Sequence, residues 1–246
     1  MTTSVRFIGS GDSFGSGGRF QTCIMVEADG QRCLLDCGAS SLVAMRAQGI
    51  DPNGVDTILL THFHGDHCGG VPFLIMDAML ASKRTRRLVV GGPQGVRARM
   101  NDLREALFPG SRAMKPRFEL EFVELVPRQP MVIGGLTVTA FPAMHTPETS
   151  PTMLRVQCGG KVITYSGDTD WTDALPQAAD AADLLIMECY YYAKPIKMHM
   201  NYATLRAHRE ELNVKALVLT HMSEDMLSHA GDVDEKCAAD GMIISL

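Results

Sequence analysis

A chain of 246 residues can bury a sizeable core and is expected to form one large domain over residues 1–246. With 46% hydrophobic residues and a net charge of −5, the composition is that of a soluble globular protein, not a disordered or strongly basic one. No apolar run approaches the roughly 20 residues that span a bilayer, so no membrane partner is expected.

The first residues, Met1 to Arg6, lack a basic start followed by an apolar stretch and a small-residue cleavage site, so no signal peptide is expected. Seven cysteines (Cys23, Cys33, Cys37, Cys68, Cys158, Cys189, Cys237) are scattered and form no Cys-x-x-Cys pair. That usage points to reduced thiols and a cytoplasmic location.

Val5–Gly9 reads as a short strand that opens into a glycine-rich loop, Ser10 to Gly18. The loop lacks the Gly-Lys-Ser/Thr ending of a phosphate-binding loop. Thr22–Ala28 and Arg32–Asp36 form a hairpin around Asp29-Gly30. A helix is expected over Leu42–Gln48, capped by Ser40 or Ser41 and ended by Gly49. Thr57–Leu60 is a buried strand, Val71–Ser82 an apolar helix, Leu88–Val90 a strand, and Pro93–Leu107 a helix begun by Pro93. Strands follow at Phe118–Leu125, Met131–Ile133, Leu136–Phe141, Thr152–Cys158 and Lys161–Tyr165. The remainder alternates: a helix near Thr172–Ala179, strand Leu184–Met187, a helix near Tyr202–Leu212, strand Ala216–Leu219 and a last strand Met242–Ser245. An early group of strands and a late one, with helices between, fits two sheets packed face to face with helices outside.

Ten basic residues against two acidic ones make the segment from Lys83 to Arg117 strongly positive. It is either a solvated face or a patch that attracts phosphate-bearing substrates such as RNA.

The chemistry is concentrated in Thr61-His62-Phe63-His64-Gly65-Asp66-His67, directly after the Thr57–Leu60 strand. Imidazole nitrogen and carboxylate oxygen are what a divalent metal takes at neutral pH. His62 and His64 alternate and can project the same way, while Asp66 and His67 can serve an adjacent position. One tight loop thus seeds two metal sites. Ligands of the right type also sit at later strand ends: His145, Asp168 in Gly167-Asp168-Thr169, and His221. An apolar strand ending in Thr-His occurs twice, at Thr61-His62 and Thr220-His221. Of the remaining histidines, His208 and His229 read as surface residues, and Cys68 as a small buried thiol.

This order of motifs resembles the metallo-β-lactamase superfamily along nearly the whole chain, with Leu34-Leu35-Asp36-Cys37-Gly38 similar to its strand-end aspartate. The resemblance implies an α/β fold, an αββα four-layer sandwich with a dinuclear site between the sheets. By position, one metal would take His62, His64 and His145, the other Asp66, His67 and His221, with Asp168 bridging. Zinc is the metal implied by ligand type, with manganese as the alternative.

An aspartate bridge, and Glu188 followed by His199, are similar to the ribonuclease Z branch and its cyclic-phosphate phosphodiesterase relatives. There the histidine assists the leaving group and the glutamate orients it, while Asp66 orients the attacking water. The tRNA-processing members carry a long arm between the positions of His145 and Asp168, whereas here only residues 146–167 intervene. The expectation is a two-metal phosphodiesterase for a small phosphodiester or nucleotide-type substrate, and by family analogy a homodimer. Two rivals use the same ligands: a lactonase or thioesterase, and a metal-bound partner or sensor protein without turnover.

Overall fold

The computed structural model describes residues 2–246, so Met1, the first residue of the segment read for a signal peptide, lies outside the described residues. The strands are β1 (Ser4–Gly9), β2 (Cys23–Ala28), β3 (Gln31–Leu35), β4 (Thr57–Leu59), β5 (Leu88–Gly92), β6 (Leu120–Glu124) and β7 (Met131–Ile133). They continue as β8 (Leu136–Pro142), β9 (Thr152–Cys158), β10 (Lys161–Tyr165), β11 (Leu184–Glu188), β12 (Leu217–Thr220), β13 (Lys236–Cys237) and β14 (Ile243–Ser245). The helices are α1 (Ser41–Ala47), α2 (Gly65–Cys68), α3 (Gly70–Leu80), α4 (Val96–Leu107), α5 (Ala174–Ala179), α6 (Tyr202–Ala207) and α7 (Glu224–Ser228).

Two seven-stranded sheets result, in the orders β14-β1-β2-β3-β4-β5-β6 and β13-β12-β11-β10-β9-β8-β7. Each is mixed: antiparallel from β14 to β3 and from β7 to β10, parallel from β3 to β6 and from β10 to β13. Strand alternation assigns the layers. In β2, Ile24 and Val26 join the core between the sheets, whereas Cys23 and Met25 face outward. In β11, Leu184 and Ile186 face that same inner core, and Leu185 and Met187 the opposite side. Helices α1, α3 and α4 cover the outer face of the first sheet through Met45, Leu74, Ile75 and Met100. Helices α5, α6 and α7 cover the second through Leu175, Leu205 and Met226. The expected αββα sandwich is thus the observed architecture, and no helix among the described residues is long and apolar enough to cross a membrane.

Several local expectations are corrected. The helix expected from Pro93 begins at Val96, because Gly95 takes a left-handed conformation (φ 86°) and donates its N–H to Glu124 Oε1. Ser40 does not cap α1: its hydroxyl accepts instead from the Gln21 N–H at 2.8 Å. The helix expected to Leu212 ends at Ala207 and continues as a 3₁₀ turn, Arg209–Glu211. The metal-ligand stretch is not wholly loop, since Gly65–Cys68 closes a helical turn. The last strand pairs with β1, so the chain ends beside its own start.

The basic segment divides in two. Arg86, Arg87 and Arg112 pair with Asp56, with Glu119 and Glu121, and with Asp102. Arg84 is buried, and its guanidinium donates to four backbone carbonyls, those of Asn53, Val55, Arg86 and Arg87. Lys83, Lys115 and Arg117 line an open cleft of about 680 Å³ that includes none of the candidate site residues. Much of the positive charge therefore serves the fold. Arg84→Met leaves several carbonyls unpaired and is expected to cost about 2–4 kcal/mol, read as a lower urea midpoint. Lys115→Ala should leave the midpoint unchanged, and an unshifted midpoint for Arg84→Met would contradict the structural role.

Candidate metal centre

The site lies where both sheets present strand ends. His62 follows β4, His145 follows β8, Asp168 follows β10, Glu188 ends β11 and His221 follows β12. The paired Thr-His motifs therefore face each other from two sheets. After His62 the chain stays extended through His64 (φ −72°, ψ 150°), then turns into α2, which carries Asp66 and His67 inward. Close backbone packing holds that turn: a Cβ on Gly38 would lie 2.2 Å from the Asp66 carbonyl oxygen, and one on Gly70 2.2 Å from that of Gly38. Gly167 (φ 54°) lies against the Thr61 side chain and sets the position of Asp168.

The structure brings all seven expected ligands together in two groups that share Asp168. Ligand atoms of His62, His64, His145 and Asp168 lie within 4.8 Å of one another, and so do those of Asp66, His67, Asp168 and His221. The two carboxylate oxygens divide the work. Asp168 Oδ2 is 3.8 Å from the Nε2 atoms of both His62 and His145. Asp168 Oδ1 is 3.2 Å from His67 Nε2 and 3.5 Å from His221 Nε2.

Asp36 organises the ligands from behind. Its buried carboxylate accepts from Thr61 N–H and Thr61 Oγ1 at 2.8 Å each, His67 Nδ1 at 2.7 Å and the Tyr165 hydroxyl at 3.0 Å. Because Thr61 Oγ1 gives its proton to Asp36, it accepts from His62 Nδ1 at 3.0 Å. These bonds leave Nε2 of both His62 and His67 free to ligate. His145 is fixed likewise, with Nδ1 donating to the Met198 carbonyl at 2.7 Å.

The contacts within the cluster fit a bound cation. His67 Nε2 and His221 Nε2 are 3.3 Å apart, and His62 Nε2 and His64 Nδ1 3.2 Å, so nitrogens face nitrogens. Asp168 Oδ1 is buried without a hydrogen bond of good geometry. Convergent lone pairs and an orphaned buried carboxylate oxygen are costly unless a cation satisfies them. The donor set of imidazoles and carboxylates is that of a divalent metal.

Charges in the metal-free cluster are displaced from ordinary values. Burial holds the His62, His64 and His145 imidazoles below their usual range. Burial also opposes charge on His67 and His221, but Asp168 and Asp66 outweigh it, raising His67 well up and His221 to about 9. Burial works against ionisation of Asp66 and Asp168 too, yet the neighbouring imidazoles hold both carboxyls below the usual carboxylate range.

A third group adjoins these two. Glu188 Oε2 is 3.0 Å from His199 Nδ1, and Glu188 Oε1 accepts the Thr169 N–H. Burial, with Asp168 nearby, raises the Glu188 carboxyl. His199 is raised despite its own burial, because Glu188 and Asp168 favour the imidazolium. His199 Nδ1 is 3.8 Å from Asp168 Oδ2, and its side chain is 21% exposed. The expected pair therefore stands at the mouth of the cluster. His208 and His229 lie apart, stacked on Trp171 and Tyr192. Cys68 is buried, which pushes its thiol up to about 12.

Two contributors carried no signal in the sequence. Tyr190 packs its ring 5.2 Å from that of His199 and 6.0 Å from that of His221, inside a run of three tyrosines. Met198 supplies only its carbonyl, from a left-handed backbone (φ 67°).

Fold and ligand geometry define the class: a metal-dependent hydrolase of the metallo-β-lactamase fold, on its ribonuclease Z-like branch. The chain belongs to the family described as anti-Pycsar protein Apyc1, whose model matches residues 3–239. It is 26% identical to ribonuclease Z of Bradyrhizobium diazoefficiens, over 96% of this chain and 97% of that one. In fold it is similar to the metallo-β-lactamase fold protein YhfI of Bacillus subtilis, with a TM-score of 0.79, 20% identity and all of both chains covered. The short form of human tRNase Z gives a TM-score of 0.78 at 23% identity over 98% of each chain. A diphosphatase of the PhnP family gives 0.78 at 20% identity, over 99% of this chain and 98% of that one.

Asp168 and Asp66 raise the metal-free His221 imidazole to about 9 despite its burial, so at pH 7 it must lose a proton to ligate, and apparent metal affinity should strengthen as pH rises towards about 9. Calorimetry of metal binding at pH 7, in buffers of different ionisation enthalpy, is expected to show about one proton released per chain. Uptake without proton release would contradict the assignment of His221 as a ligand.

Proposed function

We propose that the protein is a two-metal phosphodiesterase acting on small phosphodiesters of the nucleotide type. The observation that carries this reading is the Glu188–His199 pair, set 3.0 Å apart beside the bridging position of Asp168. A lactonase or thioesterase on the same ligands leaves that pair without a task, and a non-catalytic partner protein does not need it. Relatives named ribonuclease Z and a similarly folded diphosphatase support phosphorus as the reacting centre.

In this reading His62, His64 and His145 would hold one metal and Asp66, His67 and His221 the other, with Asp168 offering a carboxylate oxygen to each group. When bound, two divalent cations lower the pKa of water from ~15.7 towards ~7 and polarise a phosphoryl oxygen. Zinc suits the imidazole-rich set, with manganese as the alternative. Asp66 uses Oδ2 towards His67 and His221, at 3.3 and 3.1 Å. Its other oxygen accepts no protein hydrogen bond among the described residues and can orient the attacking water. Glu188 holds His199 Nδ1, so the second ring nitrogen carries the proton that passes to the leaving alkoxide. Burial keeps Glu188 from competing for water, and a carboxylate beside the ring keeps the imidazolium available.

Residues 146–167 contain a short turn, Pro147–Thr149, and the β9–β10 hairpin, in place of an arm that could grip tRNA. This favours a small substrate over precursor tRNA. The proposal also treats residues 1–246 as one domain, since both sheets share one inner core. It includes a homodimer, by family analogy, and a cytoplasmic location, consistent with seven free cysteines.

The test is a panel run on metal-analysed protein: bis(p-nitrophenyl) phosphate, 2′,3′-cyclic nucleotides, precursor tRNA, an acyl-homoserine lactone and a glutathione thioester. Turnover is expected on the first two. His199→Ala should lower turnover of the 2′,3′-cyclic nucleotides, which leave as an alkoxide, about 10²–10⁴-fold with metal content unchanged, and should affect bis(p-nitrophenyl) phosphate, whose phenolate leaves without a proton, far less. Undiminished cyclic-nucleotide turnover in the variant, or hydrolysis confined to lactone or thioester, would sink the assignment.

A further inference from the structure

The two ligand groups that share Asp168 do not exhaust the donors at this centre. A third set, Asp168, Glu188, His199 and His221, also brings ligand atoms within 4.8 Å of one another. Within it His199 Nδ1 lies 3.0 Å from Glu188 Oε2 and 3.8 Å from Asp168 Oδ2. Donors about 2.0–2.2 Å from a tetrahedral cation stand about 3.3–3.6 Å apart, and the two spans bracket that edge. Glu188 has one oxygen to offer, because Oε1 is engaged by the Thr169 N–H.

A second observation points to an occupant of the same space. His221 is 1% exposed, and its Nδ1 is buried without a hydrogen-bond partner among the described residues. That nitrogen stands 3.9 Å from Glu188 Oε2, too far for a direct bond. An orphaned buried nitrogen calls for a polar neighbour, and a water carried on a cation held by Glu188 supplies one. Solvent reaches the space past His199, whose side chain is 21% exposed.

We infer that Glu188 Oε2, His199 Nδ1 and Asp168 Oδ2 form a third divalent-cation site, filled only when metal is in excess, and that its filling brakes the reaction. The inference rests on the phosphodiesterase reading above and adds a regulation of that site. The third ion replaces the proton between His199 and Glu188, which leaves for solvent. It also meets the repulsion of two neighbouring cations, so it binds more weakly than they do. Mass action therefore brings it in last. An imidazolium that gives up a proton becomes neutral, whereas a ring that holds a cation on Nδ1 would have to become an anion. With the third ion bound, His199 ceases to serve a leaving alkoxide, while a phenolate, which leaves without a proton, is affected far less.

Equilibrium dialysis of the full-length protein against free zinc counts the ions, with turnover of a 2′,3′-cyclic nucleotide and of bis(p-nitrophenyl) phosphate followed in parallel. The unaltered protein should hold about two ions at low free zinc and a third as free zinc rises to about 1 mM. Cyclic-nucleotide turnover should fall about tenfold or more over the same range, and that of bis(p-nitrophenyl) phosphate less than about twofold. His199→Ala should keep the two tight ions, which also reports an intact fold, and lose the third. Glu188→Gln, which removes the charge, should weaken the third ion about tenfold or more. Saturation at two ions, a third ion that both variants retain, or a third ion that leaves cyclic-nucleotide turnover unchanged overturns the proposal. Absence of phosphodiester turnover at every zinc concentration overturns the phosphodiesterase reading instead, and the brake with it, while the ion counts of the three proteins still decide the third site.

Discussion

The Asp36 carboxylate is the interaction on which the rest of the site depends. It is fully buried, and burying a charge is costly unless donors surround it. Four donors from three residues do so: Thr61 twice, His67 and Tyr165. The same bonds reach one candidate ligand of each group, His67 directly and His62 through the Thr61 hydroxyl. Tyr165 belongs to the second sheet and Asp36 follows β3 of the first, so the carboxylate also ties the two sheets together where the ligands converge. Asp36 itself sits at φ 59°, a conformation that costs free energy for a residue with a Cβ.

Strain recurs around this centre. His221, at φ 58°, and Met198, at φ 67°, share the left-handed region, and each places one group against the cluster. His221 brings an imidazole next to Asp66 and Asp168, and Met198 a carbonyl onto His145. The surrounding sheets hold these residues in place. Buried hydrophobic residues from both sheets fill the space between them, which makes the strand ends a rigid frame for ligands that come from widely separated parts of the chain. Each of the two groups of candidate ligands draws on both halves of the chain.

Much of this was legible in the sequence. The density of ligands in His62-x-His64-x-Asp66-His67 has no ordinary packing explanation, and the repeated Thr-His after an apolar strand marked the opposite wall. The early and late groups of strands with helices between them are the two sheets and outer layers of the fold. What escaped was local or collective. The start of α4 depends on the left-handed Gly95, and the helical turn at Gly65–Cys68 on packing against Gly38. Arg84 belongs to the charged run by composition but to the core by its carbonyl partners. Tyr190 and the Met198 carbonyl have no sequence pattern, since each acts through where the chain folds it.

The central claim is that one carboxylate, Asp168, couples two metal positions into a single hydrolytic unit. The most direct measurement is a stepwise metal titration of metal-free protein, following bound metal and hydrolysis of bis(p-nitrophenyl) phosphate in parallel. The account predicts that binding saturates at about two ions per chain and that activity rises with the second equivalent. Full activity after a single equivalent, or two bound ions with no hydrolysis, would contradict it.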